Sequence, residues 1–146
     1  MRKTVRLFLV LALLLLPAAL RAGDKSDKFD GKWLTKMSCP PKGNTQGYTW
    51  EFPSVVTDGN FHGERGTAGQ PGYLLIEGKI KDDGSAKLSA NGLVASREYA
   101  TGIFTTKGED YSYNIKAEFK DSTGTGVRDK GLGIVGRPCT FDFAKQ

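Results

Sequence analysis

The chain is short of the side chains that most often carry chemistry. It has one histidine, His62, and two cysteines, Cys39 and Cys139, in 146 residues. A protein zinc site needs several ligands at recognisable spacing, and this set does not supply them. No G-x-S-x-G pentapeptide is present, so the strand-turn-helix nucleophile of the α/β-hydrolases is missing. Asp82 and Asp83 lack the spaced carboxylates of a calcium loop. Glu51 and Glu64 are possible acid and base partners of a carboxylate-dependent hydrolase, but no pattern singles them out. The reading is therefore non-catalytic, with no metal and no cofactor expected. Helical periodicity is absent after the first 22 residues, and so is any apolar run near the roughly 20 residues of a membrane span.

Excess positive charge is also scarce once the N-terminus is set aside. The whole chain carries 21 Lys and Arg against 16 Asp and Glu, a formal +5. Arg2, Lys3, Arg6 and Arg21 fall in the first 22 residues, where no acid occurs, so without that segment the balance is +1. The remaining bases are interspersed with acids. Nucleic-acid binding, which needs a basic stripe, is not expected.

The first 22 residues have the order of a secretory signal peptide: basic "MRKTVR", apolar "LFLVLALLLL", then Pro17 and the small residues of "AALRAG". Cleavage after Ala22 is expected, with a periplasmic or secreted product of bacterial type and no stable membrane insertion. Residues 23–30 are polar and read as a flexible leader. Residues 31–146 read as one domain, large enough for a hydrophobic core and expected to be monomeric.

That domain alternates with period two. "GKWLTKMSC" puts Trp33, Thr35, Met37 and Cys39 on one side, and "YTWEF" does the same for Tyr48, Trp50 and Phe52. Pro53 predicts a bulge or an edge there. Asp58-Gly59 and Asp83-Gly84 are hairpin signals. Leu74, Ile76, Gly78 and Ile80 form one face, followed by Ala86, Leu88 and Ala90. "EYATGIFTT", residues 98–106, reads as a weaker strand. "DYSYNIKAEFKD" aligns Tyr111, Tyr113, Ile115, Ala117 and Phe119, "STGTGVRDKG" is a glycine-rich strand, and "RPCTFDFAK" aligns Cys139, Phe141 and Phe143. The pattern predicts an all-β fold, an antiparallel up-and-down β-barrel of about eight strands, with a β-sandwich as the alternative.

Two cysteines in an exported chain predict a disulfide. A thiol nucleophile served by His62, or half of a metal site, are the alternatives. A Cys39–Cys139 bond brings the first and last strands together, as barrel closure requires.

"FHGERGTAGQPGYLLIEG", residues 61–78, is the stretch most suggestive of a phosphate loop. It lacks the following lysine and helix that phosphate binding uses. It reads instead as a long loop, residues 63–72, between two strands, with Phe61 inward and His62 in solvent. Its Arg65, Gln70, Pro71 and Tyr73 are candidate contacts for a protein partner.

Aromatic residues are abundant and aligned. Trp33, Tyr48, Trp50, Tyr111 and Tyr113 either fill the core or line a ligand site, since an eight-stranded interior packs solid or holds one small ligand. Gly78, Gly92, Gly124 and Gly126 either leave room or bend strands. Arg65, Arg128 and Arg137 lie near the ends of strands. Pointing inward, Arg65 or Arg128 suits an acidic ligand; pointing outward, they are solvated.

The opening "GKW", the strand count and a bridge near both ends resemble the plan of lipocalins, avidin-like proteins and periplasmic inhibitors of proteases or lysozyme. "GTAGQPGYLLIEGKIKDDGSAKLSANG" with the closing "RPCTF" is similar to uncharacterised exported bacterial β-barrel proteins. These resemblances imply a barrel and no particular activity. The functional expectation is a non-catalytic binding protein for a small hydrophobic or aromatic ligand, with an inhibitor or interaction module acting through loop 63–72 as the alternative.

Overall fold

The computed structural model describes residues 27–102, 105–129 and 136–146. The expected signal peptide lies outside the described residues. Eight strands follow one another: β1 (Gly31–Cys39), β2 (Tyr48–Thr57), β3 (Asn60–Arg65), β4 (Leu74–Lys79), β5 (Ser85–Leu93), β6 (Asp110–Lys120), β7 (Thr123–Arg128) and β8 (Thr140–Lys145). Each pairs antiparallel with the next, and β8 returns to β1, so the sheet is a closed barrel. The sandwich alternative is thereby set aside.

The two ends of the barrel differ because the connections alternate in length. At one end the turns are tight. Asp58 and Gly59 join β2 to β3 with φ of 51° and 73°, the two positive angles that match the twist of paired strands. Asp121 has φ 52° at the turn from β6 to β7. At the other end lie the described residues of the long connections, 40–47, 66–73, 94–102 with 105–109, and 129 with 136–139. We call the first end the base and the second the mouth.

Alternation sends every second side chain inward, and the base is packed solid. Phe61, Phe119, Phe143, Trp33, Ile76, Leu88 and Ile115 are all buried there or in the middle of the barrel, and Met37, Phe141 and Leu74 are buried nearer the mouth ends of β1, β8 and β4. Trp33 meets Phe119 edge to face, with centroids 5.4 Å apart. Phe29 closes the base. It is fully buried, packs on Phe119, and its carbonyl accepts a 2.8 Å hydrogen bond from Trp33 Nε1. The Asp30 carboxylate accepts from the backbone N–H groups of Asp58 and Gly59 at 2.8 and 2.9 Å. The expectation of a loose leader through Asp30 therefore differs from the structure. Phe29 cannot be released without exposing its ring, so residues 27–30 belong to the domain.

Inside, Thr35 and Ser54 share a 2.6 Å hydrogen bond, so these buried hydroxyls satisfy each other. Several glycines provide room rather than bends. A Cβ on Gly124 would stand 2.8 Å from the Phe119 ring, and one on Gly78 2.8 Å from Leu88. Pro53 causes no break in β2. The β2–β3 ladder covers only Ser54–Thr57, so the missing N–H of Pro53 falls just past its end. The strand expected over residues 98–106 is absent from its described part. Arg97–Tyr99 is instead a single 3₁₀ turn, and residues 103–104 lie outside the described set.

Cys39 and Cys139 are joined by a disulfide. Continuing the β1–β8 register of Met37 opposite Phe141 by two residues puts the cysteines opposite each other, at the mouth end of the closing ladder. The bond excludes the thiol-nucleophile and metal alternatives for both residues. It spans 100 residues, a loop whose cross-linking stabilises by about 4.7 kcal/mol in the chain-entropy limit. Replacing both cysteines by alanine should lower the unfolding free energy by roughly 2–5 kcal/mol in urea titrations. A loss below about 1 kcal/mol would show that the bridge adds little to barrel closure. Phe29→Ala should cost about 3–5 kcal/mol, as expected for a buried ring; an effect within about 0.5 kcal/mol would mean that the N-terminal plug is dispensable.

Candidate ligand-binding site at the barrel mouth

The inward face changes character toward the mouth. On β2 the alternation that buries Val56, Ser54 and Phe52 continues to Trp50 and Tyr48, which are only partly buried. On β6, Phe119, Ala117 and Ile115 give way to Tyr113 and Tyr111 in the same manner. In a closed ring of eight, β2 and β6 stand four strands apart, so the two aromatic pairs face each other across the interior. Tyr48 and Trp50 have centroids 4.6 Å apart, and Tyr111 and Tyr113 stack at 6.1 Å. Tyr99, from the connection after β5, meets Tyr48 edge to face at 5.6 Å.

Each aromatic wall has an arginine beside it. Arg65 is the last residue of β3, next to β2, and Arg128 is the last residue of β7, next to β6. Both follow inward glycines in the alternation, Gly63 and Gly126. The Arg65 guanidinium lies 3.7 Å from the Trp50 ring centroid, and that of Arg128 4.3 Å from Tyr113. A third, Arg137, lies 5.2 Å from Tyr48. Such cation–π contacts are worth about 0.5–2 kcal/mol, more as water is excluded.

These arginines also organise the loops. Arg65 Nη1 donates to the Gly72 carbonyl at 2.6 Å. Arg137 is buried; its Nη1 donates to the Gln46 carbonyl and its Nη2 to that of Tyr99 at 3.0 Å. It thereby ties together the connections after β1, β5 and β7. Burial lowers the Arg137 pKa from its usual value; Tyr48 opposes the shift and the Arg128 charge adds to it. Burial raises the Tyr111 and Tyr113 phenols well above the ordinary tyrosine range, and Tyr48 less so, against the pull of neighbouring arginines. All three phenols therefore stay protonated at neutral pH and can donate hydrogen bonds.

The space enclosed measures about 140 Å³ and is lined by Tyr48, Trp50, Tyr99, Tyr111, Tyr113, Arg128 and Arg137 together with residues of the 94–105 segment. It resembles in size the roughly 150 Å³ apolar cavity that accommodates one benzene ring. Gly92 makes room for one wall, because a Cβ there would stand 2.5 Å from the Tyr111 ring and hydroxyl.

Of the residues expected to bind a ligand, the structure brings together Tyr48, Trp50, Tyr111, Tyr113, Arg65 and Arg128. Trp33 does not join them. It is buried at the base beside Phe119, at the opposite end of the interior, because β1 runs from base to mouth and Trp33 is only its third residue. Arg137 and Tyr99 complete the site and were not among the expected ligand contacts. Counting back in twos from Phe143, Phe141 and Cys139 reaches Arg137, so its inward direction is legible in the sequence. Tyr99 sits in an irregular segment with no such period.

The outer features are separate. His62 is exposed between Glu77 and Glu64, with nitrogen–oxygen distances of 3.1 and 3.7 Å, while Phe61 points inward as expected. Glu51 is paired on the outside with Lys36 at 3.5 Å. The expected 63–72 loop is shorter, residues 66–73, since Gly63, Glu64 and Arg65 belong to β3. Gln70 and Pro71 are exposed at its tip, whereas Gly72 and Tyr73 are held by backbone hydrogen bonds to Leu93. No group of three or more potential ligands suits a metal ion among the described residues.

No protein-family model, curated protein or solved structure matches this chain.

Two outcomes follow from the mouth geometry. Gly92→Ala should cost about 1–3 kcal/mol as the Tyr111 ring and the Tyr73 backbone carbonyl are forced aside; an unchanged urea midpoint would show that this corner of the mouth is not tightly packed. Stability should also be complete below about pH 10, where tyrosines of the unfolded chain are neutral, and should fall as pH rises above it. The unfolded chain ionises there while Tyr111 and Tyr113, raised by burial, hold their protons. A spectroscopic titration in which all five tyrosines ionise together near pH 10, with the fold intact, would contradict this.

Proposed function

We propose that this protein is an exported, non-catalytic binding protein whose ligand is a small hydrophobic or aromatic molecule held at the barrel mouth. The observation that carries the reading is the contrast between the two ends. The base is filled by its own side chains, whereas at the mouth Tyr48, Trp50, Tyr111 and Tyr113 face inward around open space. Aromatic faces with polar tips suit a planar ligand, and such pockets are mostly apolar with a few converging polar groups. The lining holds no histidine, aspartate or glutamate among the described residues, the side chains that most often serve as general acid or base. Export is supported by the basic-then-apolar N-terminal segment and by the disulfide, which persists in oxidising compartments. No helix among the described residues is long and apolar enough to cross a membrane.

The loop at residues 66–73 favours a second reading, an inhibitor or interaction module. Its residues 66–71 are exposed while its far end is anchored to Leu93, so it presents a restrained surface to a protein partner. Deleting residues 67–71 should then abolish partner capture and leave small-ligand binding intact.

Titration with a panel of small aromatic compounds should quench tryptophan emission. The response should survive in Trp33→Phe and disappear in Trp50→Phe. A clean unliganded mass on native spectrometry, with no fluorescence change across the panel, would sink the mouth as a ligand site.

A further inference from the structure

The mouth is unusual in its charge. Arg128 and Arg137 line it, and Arg65 lies against Trp50 beside it. Among the described residues none of the three forms an ion pair and no carboxylate lines the space. The fields of all three converge on one point, for each acts on the Tyr48 phenol. Concentrated cationic charge in a partly desolvated pocket, without counter-charge, favours an anion.

The donors differ in what they have left to offer. Arg137 is engaged by the Gln46 and Tyr99 carbonyls, and Arg65 by that of Gly72. The Arg128 side chain has its stacking partner, Tyr113, and neither ion pair nor hydrogen bond among the described residues. A guanidinium held by its face keeps its N–H edge for a ligand, and that planar fork matches a carboxylate bidentately. The rest of the lining is aromatic, and its volume matches one six-membered ring.

We infer that the ligand is a small aromatic carboxylate, its ring between the Tyr48–Trp50 and Tyr111–Tyr113 walls and its carboxylate on Arg128, within the field of Arg137 and Arg65. This rests on the mouth being the ligand site and adds the charge and the anchor. Arg137 is a positioning residue as well as a charge, because it holds the loops that bound the space. Arg128 is the group expected to touch the ligand.

The test compares three probes on the full-length exported protein by calorimetry and tryptophan fluorescence: benzoate, its neutral isostere benzamide, and inorganic phosphate. Benzoate should bind at least about tenfold more tightly than benzamide, the smaller end of what a hydrogen bond to a charged group contributes. Phosphate should bind more weakly than benzoate, having no ring to place between the walls. Arg128→Gln should weaken benzoate far more than benzamide, so that the ratio of the two affinities falls toward one, and Arg65→Gln should reduce that ratio in part. Equal affinity for benzoate and benzamide would overturn the inference and leave the mouth as a neutral aromatic site. Phosphate binding as tightly as benzoate would overturn the ring and leave an anion site. Benzoate failing to bind while neutral aromatics quench Trp50 would refute the charge inference alone. If no aromatic probe binds at all, the reading of the mouth as a ligand site falls with it. The comparison of probes on unaltered protein stands even if a variant fails to fold.

Discussion

Closure of the sheet through the pairing of β1 with β8 is the constraint on which the rest depends. Without that ladder β1 and β8 would be exposed edges, and the inward-facing rings would have no shared interior. The Cys39–Cys139 bond stands at the mouth end of the same ladder, so the covalent link and the last strand pair reinforce one seam. Closure also sets which residues face each other. Tyr48 and Trp50 meet Tyr111 and Tyr113 only because β2 and β6 occupy opposite walls of a ring of eight.

Solid packing and open space are separated along the barrel axis. The base takes the large apolar side chains, with Phe29 as its plug, and small turns fit that end because nothing must enter there. The mouth takes amphipathic aromatics and arginines, whose polar ends need water, a carbonyl or a ligand. Glycines mediate the change. Gly124 lets Phe119 fill the base, and Gly92 lets Tyr111 stand in the mouth. One residue type thus serves close packing at one end and open space at the other, according to which ring lies opposite.

Much of this organisation is legible in the chain as written. The period of two assigned inward and outward faces correctly for Trp33, Met37, Phe52, Leu88, Ile115 and Phe141, because a strand has only two faces. Asp58-Gly59 marked its hairpin because both positions need positive φ. The strand read over residues 98–106 is absent from its described part, because Tyr99 and its neighbours alternate weakly and no local rule forecasts a 3₁₀ turn held by loop-to-loop hydrogen bonds. Residues 27–30 were misread as loose because a single phenylalanine among polar residues gives no period, although its ring is the plug of the core.

The sequence by itself determined the eight strands of the barrel, their inward faces and the pairing of two cysteines, though it also suggested a strand over 98–106 that the described residues do not form, since the former follow from local alternation, turn chemistry and the count of thiols. It also supplied six of the ligand-site residues as a list of types, without telling Trp33 at the base from Trp50 at the mouth. Only the tertiary structure decided that difference, because the depth of a side chain along a barrel depends on strand direction and register. The convergence of Arg65, Arg128 and Arg137 was likewise decided by closure. Arg65 lies more than sixty residues before Arg128 and Arg137, which flank one connection, and bending eight strands into one ring brings its charge to the same aromatic opening as theirs.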